Sequence, residues 1–182
     1  MTVCLCAKIR VLLHEGTRSI ESQVKPHGLR KRGEALSRIR HELFVHVMFS
    51  TKGRSPTIPN DMKESLWTYM QSICKEDKIG VHAIGGTTNH VHLLLEPPPT
   101  ISMEEMVLKI QAASAEWMNR QVDNFSWQEG YGGCSISKAH VGSVVKYIQH
   151  QEQYHATTTY EEEFLTFLKE NGIPYDPQDV FG

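Results

Sequence analysis

Val81-His82-Ala83-Ile84-Gly85-Gly86-Thr87-Thr88-Asn89-His90-Val91-His92-Leu93-Leu94-Leu95 decides the fold. Val81–Ile84 and His90–Leu95 read as strands, and Gly85 to Asn89 between them reads as a turn. Strands joined so closely form an antiparallel hairpin. Pro97-Pro98-Pro99 stops the second strand, because proline cannot donate to a ladder. Side chains alternate along a strand, so His90 and His92 share one face while Val91, Leu93 and Leu95 share the other.

The same periodicities extend outward. Upstream, Leu43 to Phe49 is β-branched and aromatic and ends at Ser50-Thr51-Lys52-Gly53-Arg54, a strand followed by a loop. Asp61 with Glu64 has the spacing of a capping box, and Met62, Leu66, Tyr69, Met70 and Ile73 continue at helical spacing to about Lys78. Downstream, Ser102 with Glu105 opens a helix through Met106, Ile110, Ala113 and Trp117. Cys134 to Ser137 reads as another strand. Val141, Val144, Val145 and Ile148 mark one face of a helix running to about His155. An acidic helix bearing Phe164, Leu165, Phe167 and Leu168 closes at Asn171-Gly172. The order βαββαβ predicts an α+β protein: a ferredoxin-like antiparallel sheet with helices on one face, plus C-terminal helices.

Composition bounds the rest. A chain of 182 residues, 40% hydrophobic and 22% charged, can bury a sizeable core, and it is neither collagen-like, coiled-coil nor globally disordered. No stretch approaches the roughly 18 apolar residues of a transmembrane helix, so no membrane partner is expected. The net charge of -2 averages two unlike segments. Residues 1–40 hold nine Lys/Arg against three acids, and residues 41–182 hold ten against eighteen. We therefore divide the chain into a basic N-terminal arm, residues 1–42, and a domain, residues 43–182. The arm admits two readings, a flexible tail or a grip on nucleic-acid phosphate. Cys4, Cys6, Cys74 and Cys134 lack zinc or redox spacing, and no apolar leader stands at the N-terminus. A reducing cytoplasm is the expectation.

The chemistry rests on a few side chains. His90 and His92, about 7 Å apart along a strand, can converge on one divalent cation, or can simply be packed or solvent-facing histidines. Tyr147 and Gln151, four residues apart on a helix, stack on a shared face with Tyr154 one turn further. Tyr147 is either an amphipathic cover on the core edge or a nucleophile whose phenolate a nearby cation favours. Gln151 can offer its carbonyl oxygen as a third ligand. Two imidazoles and an amide oxygen would leave an ion free to orient a phosphodiester for in-line attack by tyrosine. Glu104, Glu105 and Glu116 read as solvated helix positions, and Glu161-Glu162-Glu163 as favouring a helix N-terminus. His46 and His82, in neighbouring strands, read as structural or as flanking the metal, His150 and His155 as solvent-facing, and Trp117 and Trp127 as core rather than base-stacking platforms.

His90-Val91-His92 with its following leucines resembles the HUH motif of the single-tyrosine transposases of bacterial insertion sequences, which include the insertion-sequence-200-like and REP-associated branches. Tyr147-Ile148-x-x-Gln151-Glu152 resembles the tyrosine motif of the same family. His46 to Lys52, Trp127 to Gly132 and Gly172-Ile173-Pro174-Tyr175-Asp176 match as well, so the likeness covers about residues 43–182. It implies Mg²⁺ or Mn²⁺ held by His90, His92 and Gln151, with Tyr147 as nucleophile. It implies a homodimer joined edge to edge, in which the tyrosine helix can complete the partner's site. The implied reaction nicks single-stranded DNA beside a hairpin, leaving a 5′-phosphotyrosine, and then transfers the strand. Lys52 and Arg54 are assigned as hairpin contacts from charge and position. Three alternatives stand beside a mobile-element transposase: a domesticated relative that processes palindromes, a non-catalytic nucleic-acid-binding module, and a hydrolase that uses the histidine pair without a covalent step.

Overall fold

A computed structural model describes residues 42–176 and 180–181. The arm expected over residues 1–42 lies outside the described residues except for Glu42. The chain forms β1 (Phe44–Ser50), a 3-10 turn (Lys52–Arg54), α1 (Lys63–Glu76), β2 (Gly80–Gly86), β3 (His90–Glu96) and α2 (Met103–Met118). There follow β4 (Gly132–Ile136), a second 3-10 turn (Lys138–His140), α3 (Val141–Gln149), α4 (Gln151–Tyr154) and α5 (Tyr160–Glu170). The four strands make one sheet in the order β2-β3-β1-β4, with every neighbouring pair antiparallel. The α+β class and the βαββαβ order expected from the sequence are those observed.

Alternation builds two cores. On one side of the sheet, Val45, Val47 and Phe49 of β1 join Val91, Leu93 and Leu95 of β3 against Leu66 and Met70 of α1 and Met106 and Ile110 of α2. Each such side chain contributes about 1.5–3 kcal/mol on full burial. Trp127 closes this core, with its ring 4.9 Å from that of Phe49, and Trp117 packs on its margin. On the other side, Leu94, Ala83 and Ile136 lie under Val144 and Ile148 of α3. Met48 lies under Tyr160, Phe167 and Leu168 of α5. The C-terminal helices thus cover the face that carries His90 and His92, and β1 is buried at every position.

The indole of Trp127 donates to Ser114 Oγ at 2.9 Å, and that hydroxyl donates in turn to Ile110 O at 2.5 Å. Both side chains are buried. Ser114→Ala strands the indole N–H without a partner, and we expect a loss of about 1–3 kcal/mol in chemical denaturation. Unchanged stability would show that the hydroxyl is dispensable to the core.

Two local expectations are corrected. The Asp61/Glu64 capping box does not form: α1 starts from Met62 with no side-chain cap, because Met62 N closes a turn onto Pro59 O at 3.0 Å. The helix expected from Val141 to about His155 breaks at His150, whose φ of -109° and ψ of 23° end α3 and begin α4. The Ser102/Glu105 capping box forms as expected. A second one, Thr159 with Glu162, starts α5.

Candidate active site

The site grows from three local structures on the covered face. The first is β3, which places His90 and His92 side by side at 0% exposure, with ring centroids 5.1 Å apart. The second is the α3–α4 break, which turns Gln151 inward to 1% exposure. Gln151 Oε1 then sits 3.3 Å from His90 Nε2. The third is α5, where Tyr160, Glu163 and Phe167 make a buried stripe at helical spacing. Its Glu163 is 3% exposed.

Hydrogen-bond partners select the imidazole tautomers. Asn89 Nδ2 donates to Arg54 O at 3.2 Å, which turns Asn89 Oδ1 toward His90 Nδ1 at 2.7 Å. His155 Nδ1 donates to Thr158 O at 2.6 Å. His46 Nε2 lies 3.0 Å from His92 Nδ1, where it accepts in the tautomer that leaves His92 Nε2 bare. In that state three Nε2 lone pairs face inward. Glu163 Oε2 meets them at 3.0 Å from His155, 3.4 Å from His92 and 3.9 Å from His90. When Glu163 is ionised, acceptors therefore converge on acceptors.

Electrostatics sharpen this picture. Burial, and then the neighbouring His92, hold His46 and His90 at about 3, and burial with His155 does the same to His92. These imidazoles are neutral at physiological pH. Burial pushes the Glu163 carboxyl up to about 8, against a downward pull from His90. His92 Nε2, Gln151 Nε2 and Glu163 Oε1 are buried with no hydrogen-bond partner. Neutral nitrogen donors, a carboxylate and orphaned polar atoms together fit a divalent cation. His90, His92, His155 and Glu163 offer ligand atoms that all lie within 4.8 Å of one another.

Tyr147 stands at the rim, half-buried, with its ring centroid 5.7 Å from that of His92 and 6.2 Å from that of His46. Tyr154 packs against it at 5.3 Å. The structure thus brings together His90, His92, Gln151 and Tyr147, all from one chain. Lys52 is exposed. Arg54 is engaged within the fold: its Nε pairs with Glu161 at 2.7 Å and its guanidinium lies 4.8 Å from the Phe181 ring centroid. A groove of about 720 Å³, lined in part by Lys63, Trp67, Gly85 and His150, opens beside Gln151.

Two residues escaped the sequence reading. His155 was expected to face solvent, yet its side chain is 11% exposed and its ring lies 4.4 Å from that of His90. Glu163 reads from the sequence, with Glu161 and Glu162, as favouring a helix N-terminus, yet it is buried and points into the site. The Thr159-x-x-Glu162 spacing marks the start of α5, and from there Glu163 falls on the stripe with Tyr160 and Phe167. That signal was available in the sequence.

Among the described residues, fold and site define an α+β protein with a histidine-rich cluster, able to hold a cation, on a covered sheet face. The chain belongs to the family described as "Transposase IS200 like", which matches residues 39–151, a family of DNA-processing enzymes. The transposase for insertion sequence element IS200 of Salmonella typhimurium is 20% identical over 126 residues, 65% of this chain and 82% of that protein. Its Salmonella typhi counterpart matches equally. Among solved structures, a Deinococcus radiodurans R1 protein assigned as a transposase superposes with a TM-score of 0.51 at 21% identity, covering 67% of this chain and 98% of its own. A REP-associated tyrosine transposase bound to a REP hairpin superposes at 0.52 with 13% identity, covering 66% and 74%. At these identities the likeness to the solved structures carries the fold.

Proposed function

We propose that this protein nicks and rejoins single-stranded DNA beside hairpins, with Tyr147 as the nucleophile, in the cytoplasm. The observation that carries the reading is Tyr147 standing at the rim of a cluster of bare, neutral imidazole nitrogens. His90, His92 and Gln151 would hold Mg²⁺ or Mn²⁺, which when bound supplies charge neutralisation at a phosphodiester and favours a phenolate.

The residues of the chain do the rest. Tyr147 Oη attacks phosphorus, a new P–O bond to tyrosine forms and the P–O3′ bond breaks. The phenol proton goes to water and the departing 3′ oxygen takes one up. One phosphodiester replaces another, so bond energy is kept for the reverse attack by a 3′-OH during strand transfer. His46 and Asn89 hold the imidazoles in orientation. The groove beside Gln151 gives the strand a path, with Trp67 offering a ring for base stacking. Lys52 is free to meet hairpin phosphate, whereas the pairing of Arg54 with Glu161 would have to open first. The domain is acidic, so phosphate attraction is confined to such local groups. An edge-to-edge homodimer would use β2 or β4, the outer strands of the sheet.

Covered sheet faces weigh against a non-catalytic sheet platform, which needs exposed aromatic residues on its central strands. Here β1 is fully buried and β3 nearly so. A mobile-element transposase and a domesticated palindrome processor share this chemistry. We expect incubation with hairpin-bearing single-stranded DNA and Mn²⁺ to give a covalent protein–DNA adduct on a denaturing gel. Hairpin binding without any adduct, under either metal, would favour the binding module.

A further inference from the structure

We propose that His155 and Glu163 are metal ligands alongside His90 and His92, giving a three-imidazole, one-carboxylate site complete within one chain that selects Mn²⁺ over Mg²⁺. This rests on the reading above and shares its site, adding His155 and Glu163 to the histidine pair.

The first support is construction. The Thr159/Glu162 capping box fixes where α5 begins, and Glu163 N bonds back to Thr159 O at 3.1 Å in its first turn. Glu163 is thereby placed in an apolar stripe between Tyr160 and Phe167, where a carboxylate is expensive unless something compensates it. His155 is held from behind by Thr158 O at 2.6 Å, so its bare Nε2 faces Glu163 Oε2 at 3.0 Å. His90 is held in the same way by Asn89 Oδ1. An N–H anchored on a carbonyl or amide oxygen, with the other nitrogen aimed inward, is how metal-binding histidines are oriented.

The second support is spacing. Separations of 3.0, 3.4 and 3.9 Å between Glu163 Oε2 and the three Nε2 atoms suit donors each about 2.1 Å from a shared ion. The third is the donor set. Three imidazoles are poor ligands for Mg²⁺, which prefers oxygen and retains its waters, and good ones for transition ions. Gln151 Oε1, 3.3 Å from His90 Nε2, stays beside the same ion as a further oxygen donor. All four ligands come from β3, α5 and the connection after α4, so no second copy is required to build the site.

The test uses the full chain and the metals alone. Titration calorimetry with MnCl₂ and MgCl₂ should show Mn²⁺ bound on the order of 100-fold more tightly. Pulsed EPR of the Mn²⁺ form should count three coupled imidazole nitrogens in the unmutated chain and two in His155→Ala. Glu163→Gln, nearly isosteric, should weaken Mn²⁺ by roughly 10- to 100-fold or more. Two coupled nitrogens in the unmutated chain, or wild-type Mn²⁺ affinity in both variants while His90→Ala loses it, overturns the inference and leaves the proposed reaction standing. Three coupled nitrogens with no covalent DNA adduct upholds the site and overturns the reaction.

Discussion

Tyr147→Phe is expected to fold, to bind hairpin DNA and to form no covalent adduct. The substitution removes only Oη. The ring contacts to His92 at 5.7 Å, His46 at 6.2 Å and Tyr154 at 5.3 Å depend on the aromatic body and survive. Stability should therefore change by less than about 1 kcal/mol, while adduct formation falls on the order of 10⁴-fold or more, as when a nucleophile is removed. The control is Tyr160, whose ring stacks 4.8 Å from that of His90. Burial pushes its phenol well above the usual tyrosine range, so it is the poorer nucleophile, and Tyr160→Phe should keep the adduct. An adduct that persists in Tyr147→Phe and disappears in Tyr160→Phe would move the nucleophile to α5.

Gly85→Ala should injure both stability and chemistry from outside the cluster. A Cβ on Gly85 would lie 2.5 Å from the Ile148 carbonyl oxygen and 3.1 Å from its Cγ2. The nearer atom is helix backbone, which no rotamer change can clear, so α3 must move off the sheet. Overpacking of this kind costs about 1–3 kcal/mol. Because α3 carries Tyr147 and leads into Gln151, a shift near 1 Å would cost roughly 100-fold in the reaction. Gly142, on the same helix with nothing within 4 Å of its would-be Cβ, is the matched control. Gly142→Ala should be neutral or stabilise by up to about 1 kcal/mol. Thermal melts and adduct rates for the pair decide the matter: wild-type behaviour of Gly85→Ala would mean that α3 is not seated by this contact.

These expectations reflect how unevenly the molecule is written into its residues. The pairing of His90 with His92 is a consequence of strand alternation, and the four-residue spacing of Tyr147 and Gln151 reads as one helical turn, although the structure divides it at His150 into α3 and α4. Both are local, and both were legible. The chain around His150 was less so, because a continuous hydrophobic period hides a single break in backbone angles. Between the two N-terminal signals Asp61/Glu64 and Thr159/Glu162, only the second forms a cap, since Pro59 already shapes the entry to α1.

By itself the sequence determined the order of elements, the α+β class and the family motifs, because each is written in residue spacings within or between neighbouring elements. Tertiary structure alone decided that both faces of the sheet are covered and that His155 and Glu163 reach His90 and His92. Those contacts join positions more than 60 residues apart across the packing of α5 on the sheet, where no periodicity connects them. Their proximity is set by burial of Tyr160, Phe167 and Leu168 over Met48, and so by the core as a whole.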